Sequence, residues 1–138
     1  LLVVTSNLTL AGKIADSTTQ TYLLGGNIRP ATLSAVGAKT CEDLRELTAS
    51  VSFIGANGFS LESGATAFDT DEALVKKTMM ANSRERILLV DSGKYGSTYP
   101  AKFSAFSGFD RIVTNVDVDA SFTDALAGSG VQIALAQQ

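Results

Sequence analysis

The stretch from Ala49 to Gly96 limits what this chain can fold into more than any other. It reads ASVSFIGANG, FSLESGATAF, DTDEALVKKTMMANS and RERILLVDSGKYG. Val51-Ser52-Phe53-Ile54 and Ile87-Leu88-Leu89-Val90 are short apolar runs bounded by turn residues, a pattern that predicts strands covered on both faces. Two parallel strands need a crossover, and a helix from about Asp71 to Asn82 supplies it. Thr70 or Asp69 caps that helix. Asp71 and Glu72 fall in its first turn and Lys76 and Lys77 further along, an order that suits the helix dipole, and Glu72 with Lys76 is a favourable i,i+4 pair. Ligands of such sheets collect beyond the carboxyl ends of the strands. Here those ends carry Asn57-Gly58 and Asp91-Ser92-Gly93-Lys94.

The flanking sequence extends the alternation. Leu1 to Thr5 reads as a strand, and Asn7 caps a helix Leu8 to Ala15 with Leu10 and Ile14 on one face. Thr19 to Leu24 is a second strand ending in Gly25-Gly26, and Asn27 to Gly37 a loop containing Arg29-Pro30. Thr40 opens a helix to about Thr48, with Thr40 and Asp43 at capping-box spacing and Cys41, Leu44 and Leu47 on its buried face. Ala56 to Phe68 is expected to be a loop, and Tyr95 to Phe109 irregular or partly helical. Arg111 to Thr114 is a strand, Ala120 to Ala127 a helix, and Val131 to Leu135 a last strand. Strands alternating with helices predict an α/β sandwich with a mostly parallel sheet. The whole chain, 1–138, is expected to form a single domain.

Composition removes several function classes. The 138 residues suffice for one sizeable core, and no apolar run exceeds about four residues, far short of a membrane span. The net charge of -3 argues against this chain gripping a phosphate backbone. The sequence has no histidine, which removes the commonest general base, the Ser-His-Asp arrangement and the usual zinc sites. A lone cysteine, Cys41, allows no internal disulfide and no cysteine metal cluster, and fits a reducing compartment. No metal and no cofactor is expected. No signal peptide is visible, and the absence of an initiating methionine suggests a fragment or a processed chain.

Five strand ends share a character: Thr5-Ser6-Asn7, Gly25-Gly26, Gly55-Ala56-Asn57-Gly58, Asp91-Ser92-Gly93-Lys94 and Thr114-Asn115. Glycine lets a ligand approach the backbone, Ser, Thr and Asn offer hydrogen bonds, and Lys94 offers a positive charge. That set suits a small polyhydroxylated anion such as a sugar phosphate. Gly, Asn and Asp also end strands for turn geometry alone, and Asp91 and Lys94 are close enough in sequence to pair with each other. There is no P-loop and no dinucleotide fingerprint.

Taken in order, Val3-Val4-Thr5-Ser6-Asn7, Gly25-Gly26 with Gly37, Phe53-Ile54-Gly55-Ala56-Asn57-Gly58, Gly64-Ala65-Thr66 with Asp69, Glu72-Ala73 with Lys76, Asp91-Ser92-Gly93-Lys94-Tyr95-Gly96 and Asp110-Arg111-Ile112-Val113-Thr114-Asn115 cover nearly the whole chain. In this series the chain resembles the C-terminal effector-sensing domain of DeoR-type bacterial transcription regulators. The resemblance implies a three-layer α/β fold shared with ribose-5-phosphate isomerase, glucosamine-6-phosphate deaminase and coenzyme A transferases. It implies a cytoplasmic, self-associating sensor of a phosphorylated sugar or related metabolite, acting on DNA only through a separate N-terminal winged helix. Carried over residue by residue, the effector site is Asn57, Gly58, Thr66, Asp91 and Lys94, with no catalytic residue.

Two departures accompany the resemblance. The winged helix is not in this sequence, and the chain starts after the place of the family's Asp-x-Gly-Thr-Thr loop, which in the relatives helps hold the phosphate. The expectation is an N-terminally truncated domain with a sheet edge left unpaired. Glu72 falls near the place where the isomerase relatives keep a catalytic glutamate, although fold alone confers no activity. The alternatives are a sugar-phosphate isomerase or deaminase using Glu72 or Asp91 as base, and an interaction module without a small ligand.

Overall fold

A computed structural model describes residues 1–115 and 120–136 and divides the chain into two units, Leu1–Leu47 and Thr48–Gln138. In the first unit, β1 (Leu2–Thr5) and β2 (Gln20–Leu23) pair in parallel, Leu2 opposite Gln20 and Thr5 opposite Leu23. The crossover is α1 (Leu8–Ala15), and Asn7 caps it by accepting a 2.8 Å hydrogen bond from the Leu10 amide. The helix buries Ala11, and Leu10 is exposed. Residues 27–37 are a hairpin where a loop was expected: β3 (Asn27–Arg29) runs antiparallel to β4 (Ser34–Val36). Three-residue strands are too short to reveal an alternation, and Arg29-Pro30 reads as turn.

The helix α2 (Ala38–Arg45) begins two residues before Thr40, with Gly37 at the N-cap position and no side-chain cap. The expected capping box does not form. The Thr40 hydroxyl instead donates to the Gly25 carbonyl at 2.6 Å, and Asp43 pairs with Lys39. A Cβ on Gly26 would lie 2.1 Å from that hydroxyl oxygen, so the second glycine of the pair is there for close packing. Cys41 and Leu44 are buried as expected.

The second unit is built on a parallel sheet of β5 (Ala49–Gly55), β8 (Ser83–Leu89), β10 (Arg111–Asn115) and β11 (Gln132–Ala136), in the order β11-β10-β8-β5. Between β5 and β8 come β6 (Gly58–Ser60), β7 (Gly64–Ala67) and α3 (Thr70–Ala81); β9 (Ala101–Ser104) and α4 (Ala120–Leu126) follow. Phe53 and Arg111 both stand opposite Ile87. Among the described residues β5 pairs only with β8, so it forms one edge of this sheet and β11 the other.

The expected loop 56–68 is the hairpin β6–β7, and the segment 95–109, expected to be irregular or partly helical, has a 3-10 turn at Phe106–Gly108 but also contains β9, which extends the hairpin into a three-stranded antiparallel sheet. Ile54, Leu88 and Ile112 project from one face of the parallel sheet into a core with Phe59, Phe106 and Phe122. The expectation of strands covered on both faces holds only in part for β5 and β8: on their other face Ile87 is buried, but Phe53 opposite it is 58% and Leu89 42% exposed. Asp69, not Thr70, caps α3, its carboxylate accepting from the Glu72 amide at 2.9 Å.

Candidate functional site

At the carboxyl end of β5 the chain passes through Ala56 and Asn57 into the hairpin. The Lys94 ammonium donates to the Ala56 carbonyl at 3.2 Å, which places it one residue from Asn57. Lys94 does not pair with Asp91. It ends a 3-10 turn, Ser92–Lys94, capped by Asp91, whose Oδ1 accepts from the Gly93 amide at 2.8 Å. The turn is fixed at both ends. The Ser92 amide donates to Asn115 Oδ1 at 2.7 Å, and the Tyr95 ring lies 5.5 Å from Phe59 and 4.9 Å from Phe122. The sequence Asp91–Tyr95 thus aims one exposed cation at the strand ends from a rigid base.

The other predicted residues sit at the base of the hairpin. The Asn57 amide donates to the Thr66 carbonyl at 3.0 Å, and Asn57 Oδ1 accepts from the Phe68 amide at 3.1 Å. Thr66 is fully buried. Its hydroxyl donates to the Gly58 carbonyl and accepts from the Tyr99 amide, both at 3.1 Å. Its hydrogen bonds tie the hairpin to the segment before β9. Gly58 is buried against that same segment: a Cβ there would lie 2.4 Å from the Ser97 carbonyl oxygen. Asn57, Gly58 and Lys94 therefore meet at one edge, with Thr66 beneath them.

Asp91 faces a neighbouring hollow of about 350 Å³ beyond the carboxyl ends of β8, β10 and β11, walled also by Thr114, Asn115 and Ala136. The Thr114 hydroxyl is buried with no partner among the described residues. Thr5-Ser6-Asn7 and Gly25-Gly26 belong to the first unit, where Asn7 and Gly26 have the structural uses given above.

Glu72 and Lys76 follow on α3. Glu72 is 7% exposed and Lys76 half-buried, its ammonium 5.2 Å from the centre of the Phe103 ring. Burial pushes the Lys76 ammonium below its ordinary value. Glu72, one turn earlier, opposes that shift, and the charge of Lys94 adds to it. Lys76 and Lys94 thus feel each other as like charges. Among the described residues no group of three His, Cys, Asp or Glu side chains is placed to hold a metal, and no helix is long and apolar enough to cross a membrane.

Sequence reasoning missed the acceptor that holds Lys94 and the residue that Thr66 holds. The first is a backbone carbonyl with no residue signature. The second, Tyr99, lies 33 positions away in a segment expected to be irregular.

A parallel sheet whose carboxyl edge carries a tethered lysine beside an Asn-Gly hairpin defines an α/β domain of the kind that meets small molecules at its strand ends. The chain belongs to the DeoR C-terminal sensor domain family, which matches residues 1–116 and so runs through both units. It is similar to the HTH-type transcriptional regulator GlpR of Haloferax volcanii, 29% identical over 134 residues, covering 96% of this chain and 52% of that protein. It is similar to the HTH-type transcriptional repressor GlcR of Bacillus subtilis, 28% identical over 137 residues, covering 99% of this chain and 53% of the other. The glycerol-3-phosphate regulon repressor of Escherichia coli is 24% identical over 136 residues, covering 98% and 54%. The chain spans about half the length of these relatives.

Proposed function

We propose that this chain, as a single domain spanning 1–138, is the effector-sensing part of a cytoplasmic, DNA-binding regulator that works as a homo-oligomer. The effector is a small phosphorylated sugar or polyol taken at the carboxyl edge of β5 and β8. Lys94 holds the phosphate, Asn57 and Asp91 hold hydroxyls, and Gly58 and Thr66 set the hairpin against which the ligand rests. DNA is read by a winged helix outside this sequence. The effector binds one arrangement of protomers better than another and shifts the population accordingly. The observation that carries this reading is the Lys94 ammonium on the Ala56 carbonyl, one residue from Asn57. The name of the Escherichia coli relative, a glycerol-3-phosphate regulon repressor, supports a phosphorylated effector.

A thermal-shift panel of sugar and polyol phosphates on the intact protein tests it. At least one should stabilise the wild type, and Lys94→Ala should lose the shift while unfolding at the wild-type midpoint without ligand. No stabilisation by any compound sinks the sensor reading. The burial of Glu72 beside Lys76 keeps one alternative in view, an isomerase or deaminase of the same fold. Turnover of a sugar phosphate abolished by Glu72→Gln would favour it.

A further inference from the structure

Phe68 and Tyr99 lie at the same end of the antiparallel sheet as Asn57: Phe68 directly follows β7, and Tyr99 lies two residues before β9, whose Ala101 stands opposite Ala67. Their rings meet edge to face, centroids 4.3 Å apart and planes at 69°. Phe68 is nevertheless 55% exposed, far more than a ring placed for core packing. The pair is held from below by the candidate site. The Phe68 amide is bound by Asn57 Oδ1 and the Tyr99 amide by the Thr66 hydroxyl. Gly58 lies under Tyr99, so that a Cβ there would approach the Tyr99 ring to 3.0 Å. Two of the five residues expected to touch a ligand, Asn57 and Thr66, thus fix the backbone of two aromatic residues that the sequence did not single out, and a third, Gly58, packs under one of the rings. The Lys94 ammonium, on the Ala56 carbonyl, supplies a positive charge adjacent to Asn57.

From this we infer that Phe68 and Tyr99 form an aromatic wall of the effector site, against which the effector lays the C–H face of a sugar ring. Asn57, Gly58 and Thr66 are positioning residues for that wall. The inference rests on the sensor reading above and adds a selectivity to it. An aromatic face carries negative charge density and attracts weakly positive groups. The axial hydrogens of a cyclic sugar offer such a surface over a whole ring, whereas an acyclic polyol phosphate offers only short, mobile pieces. Two rings whose backbone is held by Asn57 and Thr66 and which pack edge to face on each other have less freedom to lose on binding than two free side chains. The site therefore favours ring-form hexose phosphates over acyclic ones of equal charge.

The test is isothermal titration of the intact protein with glucose 6-phosphate, fructose 1-phosphate, glycerol 3-phosphate and inorganic phosphate, repeated for Phe68→Ala, Phe68→Leu and Lys94→Ala. The expected result has three parts. Lys94→Ala weakens every ligand. Phe68→Ala weakens the ring-form ligand by about tenfold and leaves glycerol 3-phosphate and phosphate within about twofold. Phe68→Leu, which keeps apolar bulk without the aromatic face, falls between. Because Phe68 is exposed, circular dichroism of both variants should match the wild type. If a ring-form ligand binds wild type and Phe68→Ala equally, or if Phe68→Ala weakens all ligands alike, the wall is refuted and the sensor reading stands. The wall is equally refuted if Phe68→Ala changes only the oligomeric state. If no phosphate binds the wild type, both readings fall.

Discussion

Gly58→Ala separates two reasons for a glycine at the mouth of the hairpin. If the position is glycine so that a ligand can approach, an added methyl leaves stability alone and blocks binding. The geometry favours the other reason. An ideal Cβ at 58 lies 2.4 Å from the Ser97 carbonyl oxygen, 2.9 Å from its carbon and 3.0 Å from Tyr99 Cδ2. The opposing atoms are mostly backbone, and that backbone is pinned. The Gly96 amide donates to Phe59 at 2.8 Å and the Tyr99 amide to Thr66 at 3.1 Å, one on each side of the contact. Relief requires moving the hairpin away from segment 96–99, an overpacking cost of about 1–3 kcal/mol. For a chain of this size that is a fall in Tm of roughly 3–10 °C. The assay is thermal and urea unfolding of Gly58→Ala beside Gly55→Ala, where the nearest atom is the Leu89 carbonyl oxygen at 4.0 Å and the expected change is under about 0.5 kcal/mol. A Gly58→Ala protein that melts with the wild type refutes the packing argument. If it also loses its ligand, the glycine belongs to the effector.

Three further outcomes follow from the same geometry. Thr66→Val keeps the shape but leaves the Tyr99 amide and the Gly58 carbonyl without their partner, so urea unfolding should show a loss of about 1–3 kcal/mol; a loss under about 0.5 kcal/mol would contradict this. Asp69→Ala removes the cap of α3 and should cost about 1 kcal/mol in the same assay, with Asp69→Asn close to neutral. Asp110 is held below its ordinary value first by the hydrogen bond from the Arg86 side chain and then by the Arg86 amide. Its contribution is therefore complete above the unfolded carboxylate value near 3.8 and is lost as pH falls through the lower folded value. Both side chains are more than a third exposed, so solvent screening limits the effect to about 1 kcal/mol. Stability curves of wild type and Asp110→Asn should differ at pH 6 and converge toward pH 2.

The parallel elements were legible because each carried its own local signal. The apolar run Ile87–Val90 marked β8, although the strand also takes in the polar residues Ser83 to Arg86 before it, which carried no strand signal. The helix α3 announces itself with an aspartate cap, first-turn acids and lysines further along. What failed shares a cause. The strands of hairpins 27–36 and 58–67 and the strand β9 are three or four residues long, too short for a period-two pattern, and their pairing depends on partners that the chain order does not reveal. Tyr99 was invisible for that reason. Thr40 failed differently: a local capping pattern lost to a tertiary acceptor, the Gly25 carbonyl. Phe53 shows the limit of reading burial from composition, since a run of apolar residues says that a strand is apolar and not how many of its faces are covered.

The five residues that the resemblance carried over as an effector site differ in what they have left to give. Gly58 has no side chain, and the Thr66 hydroxyl already donates and accepts. Asn57 has spent its carbonyl oxygen on Phe68, and Asp91 one carboxylate oxygen on Gly93. What remains among the described residues is the Asn57 NH₂ group, the second Asp91 oxygen and the ammonium protons of Lys94 not given to Ala56. Two donors, one of them charged, and one acceptor are a short inventory, and it suits an anion that carries a few hydroxyls better than a neutral or cationic ligand. Electrostatics point the same way. Lys76 and Lys94 repel each other, and only Glu72 counters the effect of that repulsion and of burial on Lys76. The Lys94 charge is the smallest of the three influences on Lys76, after burial and Glu72, so an anion arriving at Lys94 would move the Lys76 ammonium back toward its ordinary value.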